Sequence, residues 1–218
     1  MRSTVPPKVQ AAFLQVMQER QVTIGLETFT MPTPFCILAT QNPLEQEGTY
    51  PLSEAQLDRF LMKLLVGYPA EAEELEMLSK PELDMRDPLE SITPVTSPEE
   101  LVAIQQEIKT TVFVSEPIKA YVVRLVRATR HREHVPGLQD LTEVIERGAS
   151  PRGGTINLRN VARVHAFLER RGFVLPEDVR AVVPEVLRHR LSLTFRAASE
   201  NVTTDAVLDR ILECVEIP

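Results

Sequence analysis

From Ser97 onward the apolar residues recur mostly at helical spacing. Ser97-Pro98-Glu99-Glu100 is a capping box with proline at the first helical position, where its missing N–H costs nothing. Leu101, Ile104 and Ile108 follow on one stripe. Ser115 precedes a stripe of Ile118, Tyr121, Val122, Leu125 and Val126. Residues 157–170 carry Leu158, Val161, Val164 and Leu168, and residues 176–190 carry Val179, Val182, Val183, Val186 and Leu187. Thr203 can cap a last helix with Val207, Leu208, Ile211, Leu212 and Val215. Helices with one apolar stripe must bury it against each other. The expected fold of residues 98–218 is therefore all-α.

The first 70 residues read differently. Pro6 and Pro7 suit a helix start, and Val9, Phe13, Val16, Met17 and Arg20 follow at helical spacing. Residues 21–31 read as a hairpin with a Gly25-Leu26 turn, which places Val22 opposite Phe29. Phe35-Cys36-Ile37-Leu38-Ala39 is continuously apolar, as in a strand covered on both faces. Ser53-Glu54-Ala55-Gln56 is a capping box that should start a helix at Glu54. Residues 61–66 are a second candidate buried strand, ended by Gly67-Tyr68-Pro69. Residues 70–79 read as an acidic helix, and residues 80–98 hold four prolines (Pro81, Pro88, Pro94 and Pro98). The expected division is an α/β part over 1–69, a helix and linker over 70–97, and a helical domain over 98–218.

The formal charge of −7 argues against general affinity for nucleic acid or anionic membranes, which need a cationic surface. No apolar run approaches the roughly 18 residues of a membrane span, and the N-terminus lacks the apolar core of a leader peptide. The expectation is a soluble, cytoplasmic protein. Cys36 and Cys214 are far apart and read as buried thiols. His131 and His134 have no third ligand nearby, so no metal site is expected.

Three side chains stand where chemistry could occur. Asn42 follows the first apolar run, at the strand end where ligands of parallel sheets bind. Arg59 follows on a short helix, and Arg152 lies in Gly148-Ala149-Ser150-Pro151-Arg152-Gly153-Gly154 at a helix start. A guanidinium suits phosphate oxygens, and helix starts favour anions. Taken singly, each has an ordinary reading: a turn former, a surface charge, a loop.

Their surroundings sharpen the picture. "PPKVQAAFLQVMQERQVTIG", "FCILATQNPLEQEGTYPLSEAQLDRFLMKLLVGYP", "GASPRGGTINLRNVARVHAFLERRGFVLPEDVRAVVPEVLRHR" and "VTTDAVLDRILECVEIP" together resemble the MoxR family of AAA+ ATPases. The resemblance runs from about residue 6 to residue 218. It implies a fold of α/β plus all-α: an incomplete AAA+ P-loop NTPase core, with strands 4 and 5 and the pre-sensor-1 hairpin, then an α-helical AAA+ lid. It implies that Asn42 is sensor 1, orienting the attacking water. Arg59 would be the arginine finger for a neighbouring subunit's nucleotide, and Arg152 would be sensor 2. It further implies ATP and Mg²⁺, a homo-oligomeric ring such as a hexamer, and remodelling of client proteins, including ones with von Willebrand factor A domains.

No G-x-x-x-x-G-K-[ST] occurs in the chain, and the acidic pair that would hold Mg²⁺ is also missing. Met1-Arg2-Ser3-Thr4-Val5 stands where the family carries that pair. The expectation is a portion of a longer ATPase, unable by itself to bind ATP tightly or hydrolyse it. The alternative is a non-enzymatic module that docks on complete AAA+ subunits. A nucleic-acid-binding helical domain is a third reading, disfavoured by the acidic charge. In the family's strand order, strand 1 lies between strands 4 and 5, so both should present unpaired edges.

Overall fold

The computed structural model describes residues 2–3, 13, 16–17, 19–41, 50–79 and 92–218. Two short ribbons open the chain. β1 (Arg2–Ser3) pairs antiparallel with β4 (Tyr50–Pro51), and β2 (Gln21–Ile24) pairs antiparallel with β3 (Glu27–Thr30). The second ribbon is the expected hairpin, with Val22 opposite Phe29. Gly25 takes φ +66 at the first turn position, which glycine reaches without steric cost. Of the first predicted helix, Val9 lies outside the described residues. Phe13, Val16 and Met17 are helical, and Val16 is buried while Phe13 is exposed.

α1 (Glu54–Leu57) begins where the capping box places it, and Gln56 Oε1 accepts from the Ser53 N–H at 2.6 Å. α2 (Glu71–Ser79) is the acidic helix. The two expected strands do not form. Residues 35–40 and 61–66 form no ladder, and Leu38 and Val66 are 93% and 96% exposed. Cys36, expected to be buried in the first of them, is exposed. A strand needs a hydrogen-bonding neighbour, and neither run pairs with a strand among the described residues.

The helical domain follows. α3 (Pro98–Thr111) is capped as expected: Glu100 N–H donates to Ser97 Oγ at 3.1 Å, and Ser97 N–H donates to Glu100 Oε2 at 3.0 Å. Only Ile108 of its stripe is buried, because α3 lies at the edge of the bundle. α4 (Glu116–Ala128) buries its whole predicted stripe, and Tyr121 and Leu125 are fully enclosed. β5 (Ile145–Arg147) leads to a π-helical turn over Pro151–Ile156, which runs into α5 (Asn157–Leu168). Leu158 and Val161 of α5 are buried, whereas Val164 and Leu168 face outward.

α6 (Pro176–Leu187) packs along α5 and buries Val179, Val182, Val183, Val186 and Leu187. Asp178 of α6 is fully buried and accepts from Arg171 Nη1 at 2.6 Å, the Leu175 N–H at 2.7 Å and His165 Nδ1 at 2.8 Å. Burial alone would raise its pKa. The hydrogen bonds from Arg171, Leu175 and His165 outweigh that and hold it below the usual carboxylate range. A single 3₁₀ turn, Arg188–Arg190, connects α6 to β6 (Ser192–Leu193), which pairs with β5. α7 (Phe195–Ser199) and α8 (Thr204–Cys214) complete the domain, and Thr203 caps α8 as expected.

Among the described residues, every buried apolar side chain except Val16 lies between Ile108 and Val215. Burial of apolar surface is the main favourable contribution to folding. Residues 98–218 expressed alone are therefore expected to fold. Thermal circular dichroism should show one cooperative transition, and a non-cooperative melt would contradict the expectation.

Candidate functional site

The capped turn of α1 ends at Asp58, a turn and bend over residues 58–61 follow, and residues 58–63 bond to the helical domain. Arg59 is half-buried on the turn just after α1, with Nη1 donating to the Ala55 carbonyl at 3.3 Å. Asn42 lies outside the described residues. Arg152 is exposed on the first turn of the π-helical segment, where the structure gives it no ion pair or hydrogen bond to a described residue.

Asp58 and Arg190 join the two arginine-bearing segments, and residue spacing did not single out either of them. Ser150 Oγ donates to Asp58 Oδ2 at 2.9 Å, and Arg190 Nε donates to Asp58 Oδ1 at 3.0 Å. Ser150 is also the cap of the π-helical turn, accepting from the Gly153 N–H at 2.9 Å. Gly153 presses against the same carboxylate: a Cβ there would lie 1.7 Å from Asp58 Oδ1. The segment holding Arg59 thus touches Ser150 and Gly153, which flank Arg152.

The Arg190 side chain is only 1% exposed. Its Nη2 donates to the carbonyls of Asp58 at 3.1 Å and Phe60 at 2.6 Å, and its Nη1 donates to Leu61 at 3.3 Å and also to Val186. Burial pulls its pKa below the ordinary guanidinium range, and the Asp58 carboxylate opposes that shift. Further along, Lys63 N–H donates to the Glu185 carbonyl at 2.8 Å, and Arg188 Nη1 donates to the Lys63 carbonyl at 3.0 Å. At the start of α1, Ser192 Oγ donates to Glu54 Oε1 at 2.9 Å, and Arg147 pairs with the same carboxylate. One available signal was Arg188-His189-Arg190, three basic residues directly after an apolar helical stripe.

His189 sits in this contact, with Nε2 at 3.2 Å from the Phe60 carbonyl oxygen and beside Arg190. Burial, then the Arg190 charge, lower its pKa from 6.5 to about 4, against the hydrogen bond to Phe60 and the charge of Asp58. The unfolded chain binds a proton between those two values that the folded chain refuses. The stabilisation is complete above pH 6.5 and is lost as pH falls towards 4. Discounted for partial exposure, it is about 2 kcal/mol. Urea unfolding at pH 7 and pH 4.5 should show His189→Gln flattening this part of the pH dependence. An identical slope in variant and parent would refute the assignment.

Arg152 offers an exposed guanidinium at a helix start, while the Gly153 N–H beside it is taken by Ser150. None of the described residues supplies a phosphate cradle. The described residues also contain no cluster of three metal-ligating side chains, and no helix among them is long and apolar enough to cross a membrane.

A signature described as "ATPase family associated with various cellular activities (AAA)" matches residues 2–62, and one described as "AAA lid domain" matches residues 140–211. Chaperone MoxR1 of Mycobacterium tuberculosis is 44% identical over 213 residues, covering 98% of this chain and 55% of that protein. This chain belongs to the MoxR family of AAA+ ATPases. The Bacillus subtilis protein YeaC is 40% identical, over 97% of this chain and 62% of its own length. The crystal structure of a Cytophaga hutchinsonii protein assigned as an ATPase superposes with a TM-score of 0.88 at 41% identity, covering 98% of this chain and 63% of that one. The MoxR-family chain therefore spans somewhat more than half the length of these relatives. Its fold is a partial AAA+ core followed by a helical lid.

Proposed function

We propose that this chain is the sensor and lid part of an ATP-hydrolysing, chaperone-like AAA+ protein. Residues 1–69 form the end of the ATPase core, residues 70–97 the connection, and residues 98–218 the lid. Asn42 orients the attacking water, Arg59 is the finger that reaches a neighbouring subunit's nucleotide, and Arg152 contacts the terminal phosphate. Phosphoryl transfer needs mainly positioned water and fixed positive charge from the protein, and these three side chains supply both kinds. The phosphate cradle and the Mg²⁺ ligands come from residues this sequence does not contain. The working assembly is a homo-oligomeric ring, a hexamer, in the cytoplasm. It remodels client proteins, among them proteins with von Willebrand factor A domains.

One observation carries the reading: Asp58 bonds Ser150 and abuts Gly153, so the segment bearing Arg59 lies against the segment bearing Arg152. Phosphate-binding arginines serving one kind of site need a common frame. The experiment joins the phosphate-loop portion of the M. tuberculosis relative to the N-terminus of this chain and assays Mg²⁺-dependent ATP hydrolysis. The joined protein is expected to hydrolyse ATP, and the chain alone is not. A joined protein that binds ATP and assembles but does not turn over would sink the reading.

A further inference from the structure

We propose that Asp58 and Arg190 are positioning residues that clamp the Arg59 segment to the lid, so that Arg59 and Arg152 ride on one rigid body. The proposal rests on the functional reading above, to which it adds two residues and a mechanical link. Three observations support it.

First, Arg190 uses all three of its guanidinium nitrogens on residues 58–61, through the Asp58 carboxylate and the carbonyls of Asp58, Phe60 and Leu61. A planar fork satisfied on every nitrogen fixes both the position and the orientation of the segment it holds. Second, Asp58 completes the link from the other side through Ser150, the cap of the turn that presents Arg152. Third, Gly153 leaves room for nothing larger: a Cβ there would also come within 2.7 Å of Arg190 Nε. Asp58 precedes Arg59 directly, so displacing the carboxylate displaces the backbone that aims the finger. A lid that tilts when nucleotide binds or leaves would carry the finger with it, coupling one subunit's lid to its neighbour's active site.

The test begins with the full chain, with Cys36→Ser and Cys214→Ser as background. Spin labels at Ala55→Cys and Asn160→Cys, both exposed, report the distance between α1 and α5. The parent is expected to give one narrow distribution. Asp58→Ala and Arg190→Met should at least double its width while leaving the helical circular dichroism unchanged. An unchanged width in Asp58→Ala overturns the clamp. In the phosphate-loop-joined protein, Asp58→Ala should lower kcat at least tenfold with KM for ATP unchanged, and Asp58→Glu should restore most of it. A broadened distribution with normal kcat overturns the positioning role. Normal hydrolysis by Arg59→Ala, in contrast, would defeat the finger assignment and leave the clamp standing.

Discussion

Arg59→Ala in the phosphate-loop-joined protein is expected to lower kcat about 10³-fold or more while ATP binding is retained. In the transition state of phosphoryl transfer, charge spreads over the equatorial oxygens, and a guanidinium held against them stabilises that state more than the bound substrate. A finger offered to a neighbouring subunit contributes little to binding by its own subunit. The loss should therefore appear in kcat and leave nucleotide affinity nearly unchanged. Arg59→Lys should recover little, because an ammonium cannot reproduce the planar fork. Mixing Arg59→Ala subunits with parent subunits should reduce turnover in steps that follow the fraction of interfaces lacking the finger. The measurement is steady-state hydrolysis beside nucleotide binding by calorimetry. Turnover within threefold of the parent would remove Arg59 from the catalytic machinery.

Gly148→Ala is expected to destabilise the helical domain by about 3 kcal/mol and to lower its Tm by roughly 10 °C. A Cβ at position 148 would lie 2.3 Å from the Thr129 carbonyl oxygen and 2.6 Å from Thr129 Oγ1. Thr129 cannot easily move aside. It is fully buried, its Oγ1 donates to the Val126 carbonyl at 2.7 Å, and the same atom accepts from the Ala149 N–H at 3.0 Å. Relief of the clash requires the loop before Arg152 to separate from the end of α4, breaking those bonds in a buried place. Gly67→Ala is the control, since nothing lies within 4 Å of the added carbon. It should change stability by less than about 0.5 kcal/mol. Equal melting of the two variants would show that the segment around Gly148 yields freely.

Particular residues show how far the chain could be read in advance. The stripes of α4, α6 and α8 were legible because a repeat of 3.6 residues leaves few alternatives. Their caps, Ser97, Ser115 and Thr203, were equally plain, since such side chains satisfy N–H groups within three residues along the chain. The hairpin around Gly25 was legible for the same local reason. The apolar runs at 35–39 and 61–66 misled because apolarity records a tendency to be covered and does not supply the cover. With no adjacent strand among the described residues, Leu38, Leu64, Leu65 and Val66 remain exposed. In the candidate site, Arg59 and Arg152 stood out through their motifs. Asp58 and Arg190 did not, because their significance lies in meeting each other across 132 positions.

The sequence by itself determined the helical character of residues 98–218, the starts of their helices and membership of the MoxR family. Each rests on interactions between residues a few positions apart, or on motifs read in order. Only the tertiary structure decided which stripes are buried, that the Arg59 segment lies on the lid, and that the buried Arg190 guanidinium is among the groups that hold it there. Those outcomes depend on which surfaces meet, and a buried ion pair between distant residues exists only where packing brings the two side chains together.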